Sequence, residues 1–538
     1  MALLATLVLG VALAGGPSEP IFPGLGAHRR PVTTRSALAQ RYFDQGLNFL
    51  YGFNHDEAIR SFQEATRQDP SCAMAYWGIA VANGPHINNP MVDDAHAKAA
   101  WDAAKKALNL SSRGTKAERQ LIQAVQSRYA MPNPPDRMPL DRAYADAMRA
   151  VWKANPTDGD VGALFAESMM DLRPWDLWKP NGQPQPGTPE IQATLEHVIK
   201  GHPLHPLALH LYIHTMEASP NPGAARAASD RLRGLQPGLG HNVHMPSHID
   251  VRIGRWKDAV DANVRAIQTD DAYRAKALPP DFYRVYMAHN HHMLTFAAMM
   301  RGQSKVAIDS IDTMVRQIPE AWLKAYAPFV DGYVAMPYEV RKRFGKWDSI
   351  LAMPEPPEWL PLSRTMAHAA RAVAFAAKGN LDQAAMEQAF FAEARTKIPA
   401  GVVFGNNTSD AIVNLDEHVM NGEVFIAQGN APAAIGELRQ AIAAEDALRY
   451  DEPPGWIVPA RHALGAYLTK LGRHAEAERV YIEDLRRWPE NGWSLFGLAQ
   501  SLRAQGKPGA DAVEARFRAV WKDADMTISS SCLCVPGK

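Results

Sequence analysis

Cysteine is scarce in this chain: three residues, Cys72, Cys532 and Cys534, in 538. Three thiols cannot form a disulfide framework, so stability has to come from a buried core. Net charge is missing as well, with 57 Lys and Arg against 57 Asp and Glu. Without a basic field there is nothing to gather phosphate backbones or anionic lipid, so neither is an expected partner. After the first fifteen residues no apolar stretch approaches the ~18 residues needed to cross a bilayer. GxSxG, GxxxxGK[ST], HExxH and paired CxxC are all absent, so hydrolase, nucleotide and zinc-finger readings lose their usual support.

What is present is a repeat. Counting from Ala39 as position 1, Tyr42 falls at 4, Gly46 at 8, Phe49 at 11, Ala58 at 20, Phe62 at 24, Ala65 at 27 and Pro70 at 32. That is the small-and-apolar pattern of a 34-residue tetratricopeptide (TPR) repeat. The frame returns from Pro206, Gly240 and Ala288 and predicts an all-α, TPR-type helix-turn-helix superhelix, an α-solenoid with inserted loops. Residues 1–16 read as a signal peptide ending in Ala12-Leu13-Ala14, with no Lys or Arg before the apolar run, which predicts a periplasmic or secreted protein. Residues 17–36 read as a linker and 37–205 as an N-terminal TPR and helical region. A histidine-rich TPR core follows at 206–310, then a C-terminal TPR array at 311–525 and a polar tail at 526–538. Within the N-terminal region, loop 173–189 is rich in Trp and Pro. Trp175 and Trp178 there either cap the groove or staple the loop to the helices.

Ten of the nineteen histidines lie between His202 and His292. Seven of them occupy three repeat positions: His241 and His289 at 2, His210, His244 and His292 at 5, His214 and His248 at 9. These positions cluster on one helix face, mostly opposite the packing positions, and are expected to line the concave groove. The i, i+4 pairs His210 with His214 and His244 with His248 can each hold one ion. Neutral imidazole suits transition metals, whereas Ca and Mg want oxygen. His210, His214, His244, His248, His289 and His292 are therefore the expected metal ligands. His241 is a ligand or proton carrier, and Glu167 or Glu217 the acid–base group. Glu217 could also be an added ligand, and Asp250 could orient His248. Glu339 and Glu423, at position 9 of later units, are expected to face the same groove. Cys532 and Cys534 are an incidental tail pair or a soft-metal capture site. A groove of unmetallated histidines contacting a peptide, or sensing pH, stays open as the alternative.

Gly240-His-Asn-Val-His-Met-Pro-Ser-His248, Tyr286-Met-Ala-His-Asn-His-His292 and Tyr450-Asp-Glu-Pro-Pro-Gly-Trp456 resemble motifs of a widespread family of exported bacterial TPR proteins. The resemblance runs over nearly the whole chain, with His86 standing where the family has Asn. It implies the fold and a shared histidine site, and no activity. The reaction is expected from chemistry alone: a metal-dependent oxidoreductase acting on a small organic substrate. Copper is favoured, with zinc or iron next, as one or more ions. A metal-free peptide- or protein-binding scaffold, a metal storage or delivery protein, and a zinc-dependent hydrolase are the alternatives.

Overall fold

The computed structural model describes residues 19–535, so the segment read as a signal peptide lies outside the described residues. Helix follows helix in antiparallel pairs, and a two-stranded ribbon, Val403–Phe404 with Asn407–Thr408, is the only sheet among the described residues. The first pair, Ala37–Tyr51 and His55–Gln68, shows how sequence makes the unit. Ser36 and Asn54 cap the two helices by accepting from the amides of Ala39 and Glu57. Gly46 and Gly78, from successive units, clear space for the fully buried Phe62 ring, whose atoms lie 2.7 and 2.6 Å from where their Cβ atoms would be. Later units repeat a second device. Gly379 and Gly429 take φ of 79° and 72°, open to glycine at little cost. Asn380 and Asn430, next in each chain segment, cap the following helix. The chain is thus an all-α superhelix of TPR type.

Two segments depart from the expected layout. Residues 19–36 lie down as an extended strap. Arg30 reaches Asp158 and Asp160, each at 2.8 Å, and His28 meets Asp160 at 2.9 Å. After the Trp-rich loop 173–189, whose Gly and Pro residues read as loop through Pro189, helix Thr188–Gly201 starts from Gly187 and packs on helix Gly159–Met170. The polar tail is also corrected: Cys532, Cys534 and Val535 are buried in the C-terminal core. No helix of the described residues is long and apolar enough to cross a membrane. One large core fills the N-terminal half and a second begins around Val251 and Met293. The histidine-rich helices lie where the two meet.

Candidate metal centre

Four helical segments carry the histidines, Pro206–Glu217, Gly240–His244, Pro246–Arg252 and, one unit on, Arg284–Met300, and Trp256–Arg274 packs behind them. The open groove expected from the repeat register is corrected here. His210, His214, His241, His244, His248 and His292 are buried, and only His289 is partly exposed. The facing helices close over the ring positions because the units are packed by apolar neighbours on every side, with Phe53, 4.3 Å from the His210 ring, wedged among them.

The imidazoles fall into two triads whose ligand atoms lie within 4.8 Å of one another: His210, His214 and His241, and His244, His248 and His289. Each contains one i, i+4 pair. His292 joins neither; its ring faces Tyr333 at 5.4 Å, and burial depresses its pKa to about 3. His241 stands as the third donor of the first triad, with both ring nitrogens buried and unpartnered.

The partners of the other ring nitrogens decide the chemistry. His210 Nδ1–H donates to the Tyr51 carbonyl at 2.9 Å. His214 and His248 donate from Nδ1 to the two oxygens of Glu217, at 2.9 and 2.5 Å. His244 Nδ1–H donates to Asn263 Oδ1 at 2.6 Å, and the amide nitrogen of Asn263 is engaged by the Ala259 carbonyl at 2.8 Å, which sets its orientation. Four neutral rings therefore carry their proton on Nδ1 and a lone pair on Nε2. The Nε2 atoms of His210 and His214 are buried without a partner, and those of His244 and His248 face each other at 2.7 Å. Two lone pairs at that separation repel unless a cation lies between them. A proton is the costly choice, since burial and then the neighbouring imidazole push His244 well below its ordinary pKa. A metal ion is the other. The Nε2 atoms of His248 and His289 are 3.5 Å apart, close to the about 3.4 Å edge of a tetrahedron with bonds near 2.1 Å, whereas the 2.7 Å His244–His248 pair has to open toward that edge to share an ion. The donor set fits a transition metal.

Glu217 lies between the triads. Burial raises its pKa, and the two imidazoles outweigh that and bring it down to about 2. An anion whose two oxygens accept from two ligand rings is placed to orient them rather than to exchange protons with a substrate. Asp250 does not take that part; it pairs with Arg233 at 2.8 Å, because its helix turns it away from His248. Glu167 sits apart, in a buried group with the Arg128–Asp171 pair, where desolvation lifts its carboxyl to about 7 against the pull of Arg128. Glu339 and Glu423 gather around Lys342 as a buried group of their own, rather than facing an open groove shared with the histidines.

The Trp-rich loop splits its work. Trp178 Nε1–H donates to the Thr215 carbonyl at 2.7 Å and fastens the loop. Trp175, with φ of 59°, meets the His214 ring edge-on at 5.5 Å and donates to Asn88 Oδ1 at 2.9 Å. Asn88 in turn donates to the hydroxyl of Tyr286, whose ring packs on His241 at 4.5 Å. A narrow cavity beside this relay is lined by His214, Glu217, Trp175, Arg173, Met170 and Tyr450. Tyr51, Phe53, Asn263 and Asn88 were not singled out in the sequence. Tyr51 and Asn88 meet partners 159 and 198 residues away, and Asn263 meets His244 across a helix pair, contacts that only the fold makes. Tyr450 was visible as part of a motif, without a place.

No family model matches the chain, and no curated protein matches it. Solved structures with likeness to it include the human IFIT1 dimer with m7Gppp-AAAA, at 14% identity over 92% of each chain and a TM-score of 0.34. The APC/C hetero-tetramer Cut9-Hcn1 shares 12% identity over 91% of this chain and 78% of that one, with a TM-score of 0.32. The TPR domain of P58(IPK) shares 11% over 87% of this chain and 98% of that one, with a TM-score of 0.21. Scores this low carry no argument about ligands, and the fold rests on the helix pairs and capped turns described above.

Proposed function

We propose that the protein is an exported TPR-fold metalloprotein whose paired imidazole triads hold two transition-metal ions, and that it is an oxidoreductase acting on a small organic molecule. The observation that carries this reading is the commitment of Nδ1 on four rings to fixed acceptors, which leaves their Nε2 lone pairs convergent, those of His210 and His214 buried without a protein partner. An all-imidazole donor set in an exported protein favours copper, with zinc or iron next. Copper held there would supply one-electron chemistry. The chain's own part is to fix the donors through Glu217, Asn263 and the Tyr51 carbonyl, and to exclude water with Phe53 and Trp175. Substrate would enter by the cavity between Trp175 and Tyr450, which ends on His214. A metal-free peptide groove is disfavoured by burial, because a peptide cannot reach rings with almost no exposed surface. Storage or delivery, and zinc-dependent hydrolysis, are separated from the leading reading by turnover and by metal identity.

The test is metal analysis of untagged protein from the cell envelope, beside two double variants. The expected result is about two ions per chain, with one lost in His210→Ala/His214→Ala and one in His244→Ala/His248→Ala. Absence of stoichiometric transition metal after reconstitution overturns the reading. Finding the protein only in the cytoplasmic fraction overturns the export part.

A further inference from the structure

A second cluster of soft and anionic donors lies in the C-terminal core, away from the imidazoles. The tail folds back between helices, and Cys532 and Cys534, bonded to each other, lie beside Glu423 of helix Ser409–Ala427. The Cys532 Sγ is 4.0 Å from Glu423 Oε1, and the two sulfurs and one carboxylate oxygen are within 4.8 Å of one another. Glu423 is 6% exposed, and its other oxygen, Oε2, is buried with no hydrogen-bond partner. An unpartnered carboxylate oxygen in a core costs free energy unless something else engages it. Burial raises the Glu423 carboxyl to about 7, with Glu339 adding to the rise and Lys342 and Arg343 opposing it, so an anionic donor set here calls for the charge of a bound cation.

We propose that Cys532, Cys534 and Glu423 form a redox-gated site for one soft metal ion, open only when the disulfide is reduced. Thiolates select soft ions such as Cu(I) and Zn. The gate follows from electron balance. A dithiol donor gives up two electrons and two protons and becomes a disulfide; the Cys532–Cys534 bond breaks, and each sulfur takes one proton. The entering ion then displaces those protons to water, since the thiolate is the ligand. In reverse, a disulfide oxidant takes two electrons from the thiolates and two protons from water and leaves as a dithiol, while the Cys532–Cys534 bond re-forms and the ion is released. The pair is 8% exposed at each cysteine, so the bond is shielded without being sealed from a reductant. This site is independent of the imidazole triads, and its success or failure leaves them untouched.

The experiment uses Cd(II) on the full chain under anaerobic conditions, because sulfur-to-cadmium charge transfer gives an ultraviolet band that imidazole ligands do not. Expected is a band saturating at one Cd(II) per chain in protein reduced with a phosphine and freed of it. The band is absent in oxidised protein and in reduced C532S/C534S. The oxidised wild type, having the same sequence, controls for folding, and circular dichroism checks that reduction preserves the helices. E423Q is expected to keep the band and bind about tenfold more weakly. No band in the reduced wild type, or an equal band in the double variant, overturns the site. Unchanged affinity in E423Q overturns the three-donor assignment.

Discussion

At the scale of single residues, Glu217 is the side chain with the widest reach, because one carboxylate holds a ring of each triad. Glu217→Gln replaces one accepting oxygen with an NH2 group, so one of the two imidazole N–H groups meets a donor and both rings lose the anion that raises their basicity. Metal affinity is expected to fall by about 10–100-fold at both triads, measured by competition with a chromophoric chelator; a loss confined to one triad would sink the bridging role. The histidines themselves were legible in the sequence because a helix repeats its face every three to four residues. Their partners were not. His210 donates to a carbonyl 159 residues earlier, and no local pattern announces such a contact. His292 shows the limit of register reasoning: it shares position 5 with His210 and His244, yet it lies one turn farther along its helix, among Tyr333 and Phe404.

At the scale of elements, the strap of residues 19–36 is fastened by Asp160, which accepts from His28, His205, Tyr51 and Arg30. Burial pushes the Asp160 carboxyl up, but the two imidazoles and their hydrogen bonds hold it well below its ordinary value. A carboxyl depressed in the folded state adds stability that is present above its unfolded pKa, near 3.9, and is lost as pH falls toward the folded value. Acidification below about pH 4 is therefore expected to loosen the strap. Asp160→Asn should do so at neutral pH, costing about 1–3 kcal/mol, because it removes the anion shared by His28, His205, Tyr51 and Arg30 and leaves Arg30 to Asp158 alone. Limited proteolysis near Arg29 reads both; equal cleavage of wild type and variant at pH 7 refutes the fastening. A second element test is Gly497→Ala, whose new Cβ would lie 2.1 Å from Tyr481 Cζ. Overpacking of about 1–3 kcal/mol exceeds the about 1 kcal/mol gained in helix propensity, so a lower denaturation midpoint is expected. Most helix pairs were legible from the Gly-Asn turns and small residues. Helix Thr188–Gly201 was hidden, because its Gly187 start and Pro189 read as more loop, although proline in the first turn favours a helix.

At the scale of the whole molecule, a solenoid is held by contacts between neighbouring units, and each unit touches little beyond the next. The first triad takes donors from Pro206–Glu217 and Gly240–His244, and the second from Gly240–His244, Pro246–Arg252 and Arg284–Met300. Metal loading is thus expected to raise the unfolding temperature of the entire chain, by the linkage of any ligand that binds only the folded state; each ion present at 100 times its Kd adds about 2.7 kcal/mol. Calorimetry with and without chelator checks this, and an unchanged transition would place the ions outside the structure. The same arrangement bears on shape. A superhelix is a spring whose pitch is set by small rotations between successive units, and the two proposed ions, spanning three of them, would act as a clamp at the middle of the coil. The two halves of the chain, with their separate cores, would keep a set angle while the clamp is closed and swing more freely once it opens.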